Sequence, residues 1–164
     1  VVITSGCVGG FLDKYREETD FILKELQPFI DNNNFYLEVA YHDTEKQKEY
    51  NKYLLKLSKE KSIPLVFGAD THIIDALDVK YRDAFLLSKG ISYEDEYGWM
   101  IDFPSYDIAV KRFIEQSVLT VKEITDAMTN TNVIAKWEFG KTKNGSIVKD
   151  VTSIMTQGEI NEYK

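Results

Sequence analysis

An apolar run, Pro64-Leu65-Val66-Phe67-Gly68-Ala69, ends in Asp70-Thr71-His72. A carboxylate oxygen and an imidazole nitrogen are good ligands for Zn²⁺ or Mn²⁺. In extended backbone, residues i and i+2 point to the same side, so Asp70 and His72 project together where the run ends. The plain alternative makes Asp70 a turn cap and His72 an ordinary loop histidine. Cys7 lies in Ser5-Gly6-Cys7-Val8-Gly9-Gly10, directly after another apolar run, residues 1–4. As a thiolate it could bind a soft or borderline metal, but a lone cysteine reads more simply as a small buried thiol. Gly6, Gly9 and Gly10 could offer backbone N–H groups to a phosphate, and a tight turn explains them equally well.

Other chemistry-bearing residues read more plainly. Glu38 stands near the end of Phe35-Tyr36-Leu37-Glu38-Val39, either as a carboxylate that supports the metal ligands or as an outward strand residue. His42, followed by Asp43 and a capped helix at Thr44, reads as a solvated loop residue. Residues 93–97, Tyr-Glu-Asp-Glu-Tyr, read as a solvated acidic loop. Trp99 and Trp137 read as core or partial-interface aromatics, because no basic residues interleave them as in a base-stacking platform. The sequence carries no nucleophile-elbow serine, P-loop or dinucleotide fingerprint. With 2 His and 1 Cys, nitrogen and sulfur ligands for a complete multi-metal site must come partly from outside this chain.

The elements that position these residues alternate. Strands are expected at residues 1–4, 35–40 and 63–69. Helices are expected at 19–27 (with Ile22, Leu26 and Phe29 on one face), 44–58, 75–88, 106–116 and from 120 to about 140. Thr44-x-x-Gln47 and Thr120-x-x-Glu123 are capping-box patterns. Gly90 and Gly140 are helix stops, and Asn144-Gly145 is a candidate hairpin turn. Strand–helix alternation implies parallel βα units, in which sites form beyond the carboxyl ends of the strands. Three strands are too few to close a barrel, so the fold class is α/β, part of a barrel or a small open sheet, followed by helices.

Composition limits the function classes. The 164 residues are 43% hydrophobic, enough for one domain with a sizeable core. No apolar run approaches the roughly 18–20 residues of a membrane helix, and the start lacks a signal-peptide pattern. A formal net charge of −7 argues against a main nucleic-acid clamp within this segment. One cysteine excludes an internal disulfide and fits a reducing, cytoplasmic compartment. The chain opens without Met in an apolar run, which reads as the start of an excised segment.

The segments Ser5 to Gly10, Phe35 to Glu38 and Ile63 to His72, in this order and spacing, resemble the PHP (polymerase and histidinol phosphatase) domain. The version they resemble is that of the alpha subunit of bacterial and phage DNA polymerase III. Asn130-Thr131 with Ile134-Ala135 resembles the family's following helix. The resemblance covers residues 1–140, as the C-terminal part of such a domain, and leaves 141–164 as a tail or linker. It implies a distorted seven-stranded (β/α) barrel, present here in part. It also implies divalent metal, Zn or Mn, held in the intact domain by residues that include Cys7, Asp70 and His72, with Glu38 in support. The implied function is a metal-dependent phosphoesterase within a DNA-replicating polymerase, serving as a 3′–5′ exonuclease where active. Partners would be DNA, through the parent polymerase, and the rest of that chain. The alternatives are a non-catalytic scaffold that stabilises the polymerase or binds a partner subunit, and a stand-alone metal phosphatase. Earlier ligands of the family pattern and the polymerase carboxylates have no counterpart here. This chain by itself is therefore expected to hold metal weakly or not at all, to lack nuclease activity, and to self-associate through open strand edges.

Overall fold

The computed structural model describes residues 1–92 and 99–135. The chain divides into two units, Val1–Ile134 and Ala135–Lys164, and the sheet lies in the first. The expected acidic loop at 93–97, Trp137, the stop at Gly140, the hairpin at Asn144 and the tail lie outside the described residues.

Three strands form a parallel sheet in the order β1-β2-β3: β1 is Ile3–Thr4, β2 is Phe35–Val39 and β3 is Leu65–Phe67. The expected α/β class with parallel strands is observed. Ile3 pairs with Phe35, and Leu37, Glu38 and Val39 pair with Leu65, Val66 and Phe67. β1 leads through short helices α1 (Phe11–Lys14), α2 (Thr19–Glu25) and α3 (Gln27–Asp31) to β2. Helix α4 (Glu45–Lys61) joins β2 to β3 and runs three residues beyond the expected end at 58. Its N-terminus is capped by Thr44 Oγ1, which accepts from the Gln47 N–H at 3.2 Å. The return half of that capping box is missing, because the Gln47 side chain turns inward and donates to Asn51 at 2.9 Å.

The core lies on the α4 side of the sheet. Phe35, Leu37 and Val39, alternate residues of β2, are buried with Tyr50, Leu54 and Leu57 of α4, whose spacing puts them on one helical face. Helices α6 (Tyr106–Gln116) and α7 (Val121–Ala135) add Ala109, Phe113, Ile124, Ala127 and Met128. At α7 the capping box is complete: Thr120 Oγ1 accepts from the Glu123 N–H at 3.3 Å, and Glu123 accepts from the Thr120 N–H at 2.8 Å. Helix α5 (Val79–Ser88) buries none of its residues. Leu77 before it and Tyr81, Phe85 and Leu87 within it are large, exposed apolar side chains.

The free flank of β3 is not bare. Asn130 Nδ2 of α7 donates to the Leu65 carbonyl at 2.7 Å, and the Phe67 N–H donates to Thr131 Oγ1 at 3.2 Å. Side chains of a helix thus take the bonds a neighbouring strand would make. The expectation of open strand edges is corrected on this flank.

Candidate metal centre

Because the strands are parallel, the segments leaving β1, β2 and β3 emerge at one end of the sheet. They carry Cys7, His42, and the Asp70/His72 pair. The turn after β1 is tight: Gly6 and Gly9 have φ of 73° and 87°, a region that favours glycine. A Cβ on Gly10 would stand 2.9 Å from the Cys7 and Ser5 carbonyl oxygens. The Gly9 N–H donates to Asp13 at 2.9 Å and the Gly10 N–H to the Cys7 carbonyl at 2.9 Å. These donors are already spent, which favours the turn over the phosphate cradle.

Glu38 bridges the three strands. Its carboxylate accepts from Thr4 Oγ1 at 2.6 Å, its backbone N–H donates to Ser5 Oγ at 2.9 Å, and its side chain lies across Gly68. Only a residue without Cβ leaves it that space.

After β3 the backbone turns at Asp70, which takes a left-handed φ of 48°. Aspartate tolerates this region better than most residues. Asp70 Oδ1 stands 3.2 Å from His72 Nε2, and its Oδ2 stands 3.7 Å from His42 Nε2. The imidazole of His42 facing it, then that of His72, hold the Asp70 carboxyl below the usual carboxylate range, while burial works the other way. His72 is anchored by its N–H, which donates to the Ile101 carbonyl at 2.8 Å. The strap that includes Ile101 is itself pinned, since Arg112 of α6 pairs with Asp102 at 2.9 Å.

Sequence reasoning missed His42. It is fully buried rather than solvated. Its ring stacks on Trp99 at 4.6 Å, and its Nδ1 accepts the Met100 N–H at 3.2 Å. Its carbonyl accepts from Gln116 at 2.8 Å. The helical cap that follows it disguised it as a loop residue.

Cys7 is half-buried and its thiol donates to the Val8 carbonyl at 3.4 Å. Burial, then the charges of Asp70 and Glu38, push the thiol pKa up. Cys7 therefore shares an electrostatic neighbourhood with those carboxylates. Among the described residues, no three His, Cys, Asp or Glu side chains converge tightly enough to hold a metal ion. The 3.2 Å between Asp70 Oδ1 and His72 Nε2 is the length of a direct polar contact and also close to the roughly 3.3 Å between two donor atoms of a tetrahedral ion with bonds of about 2.0–2.1 Å.

No family model matches the chain. A search of characterised proteins finds one resemblance that runs from end to end. The chain is similar to DNA polymerase III subunit alpha. In Borreliella burgdorferi that protein is 25% identical over 172 aligned residues, which take in 99% of this chain and 15% of the relative. The chain thus spans about 15% of the length of the relative it matches. Among the described residues no helix is long and apolar enough to cross a membrane.

Proposed function

We propose that this chain is the C-terminal part of a PHP-type metal-dependent phosphoesterase domain, residues 1–140, within a replicative polymerase III alpha-like polypeptide. The observation that carries the reading is the Asp70–His72 pair, 3.2 Å apart beyond the carboxyl ends of parallel strands. The end-to-end similarity to a polymerase alpha subunit supports it. Asp70 and His72 would hold a divalent cation, Zn²⁺ or Mn²⁺, with Cys7 as a further ligand and Glu38 supporting the strand ends. When bound, such a cation activates water and stabilises charge on a phosphodiester, which suits 3′–5′ exonuclease action in the intact protein. DNA would be met through the parent polymerase, in the cytoplasm. Since the described residues supply two converging ligands, the others must come from outside them. The chain alone is then a weak metal binder without nuclease activity.

A second reading, a non-catalytic scaffold in the same polymerase, is favoured by the absence, among the described residues, of a third converging ligand. Metal titration separates the two. A polypeptide extended to whole-domain length should bind Mn²⁺ or Zn²⁺ stoichiometrically, and Asp70→Ala or His72→Ala should abolish it. Digestion of a labelled single strand in Mn²⁺ reports activity. An extended polypeptide that binds no metal leaves the scaffold.

A further inference from the structure

The buried ring of His42 is held from three sides before it reaches Asp70. Trp99 stacks on its face at 4.6 Å, the Met100 N–H fills its Nδ1 lone pair at 3.2 Å, and Gln116 holds its backbone carbonyl at 2.8 Å. Gln116 is in turn bonded to Asn51, and both donate to the Ala40 carbonyl, so a buried amide network fixes this stretch of chain. The remaining polar atom, Nε2, has no hydrogen-bond partner although it is fully buried. It faces Asp70 Oδ2 at 3.7 Å, about 0.7 Å beyond hydrogen-bond length.

A backbone N–H can donate only into a lone pair. With Nδ1 occupied by Met100, the neutral ring carries its proton on Nε2. His42 then has no lone pair to give a metal, and its Nε2–H is aimed at a carboxylate. We infer that His42 is a positioning residue for Asp70: it donates from Nε2–H to Oδ2, fixes the carboxylate, and leaves Oδ1 turned toward His72. A donor behind a ligating carboxylate orients it and tunes its basicity, so partners of this kind matter to affinity nearly as much as the ligands. The purpose of this contact rests on reading Asp70 as a metal ligand, whereas the contact itself does not.

The test uses the whole 164-residue chain, which has 2 histidines, labelled with ¹⁵N and ¹³C and free of metal. A long-range ¹H–¹⁵N spectrum, with His72→Ala for assignment, should show His42 as a neutral Nε2–H tautomer. Asp70→Asn should shift that Nε2 proton. His42→Phe, which keeps the ring but removes the donor, should move the Asp70 carboxyl ¹³C resonance. His42→Gln, whose amide can donate from a similar position, should bring it back. A merely structural histidine would leave that resonance unmoved. An Nδ1–H tautomer, or an Asp70 carboxyl indifferent to His42→Phe in a folded variant, overturns the inference. If His42→Phe does not fold, the Asp70→Asn shift decides in its place. Added Mn²⁺ should broaden Asp70 and His72 first, and His42→Phe should raise the apparent dissociation constant about tenfold or more. Coordination through His42 Nε2 would also overturn the inference. Failure of Mn²⁺ to broaden either residue counts against the metal reading alone, because the tautomer and the carboxyl shift are read without metal.

Discussion

Thr131 stands over Phe67, sixty-four positions earlier, with its hydroxyl oxygen accepting the Phe67 N–H at 3.2 Å. The same oxygen lies 3.3 Å from the Phe67 carbonyl and 3.1 Å from that of Ala127 in its own helix. A threonine thus does for an edge residue what the next strand would have done, and Asn130 repeats this at Leu65. Unpaired edge groups are templates for another chain. Thr131→Val keeps the volume and removes the acceptor. It should lower stability by about 1–2 kcal/mol, and with Asn130→Ala it should cause concentration-dependent self-association. Urea melts and sedimentation velocity check this; a double variant that stays monomeric would show that the edge needs no cover.

Asn51 is fully buried, donates to the Ala40 carbonyl at 2.7 Å and to Gln116 at 2.8 Å, and accepts from Gln47. Its loss strands several buried polar groups at once. Asn51→Ala should cost about 2–4 kcal/mol, more than truncating an exposed asparagine. Equilibrium denaturation measures it. Because Gln116 also holds the His42 carbonyl, the same variant should perturb the His42 ring resonances.

Gly68 and Glu38 should be energetically coupled. A Cβ at position 68 would collide with the Glu38 carboxyl, which Thr4 tethers at 2.6 Å. Gly68→Ala should destabilise by about 1–3 kcal/mol. Adding Glu38→Ala should recover much of that, giving a large coupling energy in a double-mutant cycle. Additive losses would mean that the backbone at 68, rather than the carboxylate, sets the cost.

Asp13 gives a pH signature. Burial raises its pKa, but the hydrogen bonds from Arg16 and the Gly9 N–H outweigh this, and the carboxyl is held below its ordinary value. A depressed carboxylate stabilises the fold above its unfolded pKa of about 3.9, and the contribution is lost as pH falls below that toward the folded value. The stability gap between wild type and Asp13→Asn should therefore be constant from about pH 5 to 7 and should close as pH falls below about 4. Thermal melts across that range test the sign; a gap that widens in acid would refute it.

Much of this arrangement was legible in the sequence. The apolar runs point to all three strands, and the periodic apolar faces point to α4 and α7, because burial on one side leaves a regular pattern. Asp70 and His72 do lie together, but not by the extended i, i+2 geometry that the sequence suggests: β3 ends at Phe67, and a left-handed turn at Asp70 brings the two side chains to 3.2 Å. Cys7 shares their neighbourhood without closing a three-ligand group among the described residues. His42 was missed because its burial comes from Trp99, Met100 and Gln116, contacts distant in sequence that no local pattern signals. Gln47 followed the capping-box spacing, yet a buried asparagine competed for its amide. The cover over β3 was hidden for the same reason, being made by two polar residues in the middle of a helix.

That cover gives the sheet a handedness of growth. β3 is sealed by α7, whereas β1 pairs with β2 and, among the described residues, with no strand beyond it. Of the two flanks, the one alongside Ile3 and Thr4 is the flank that α7 does not cover. A newcomer there would arrive next to Cys7, with Asp70 and His72 on the far side of β2.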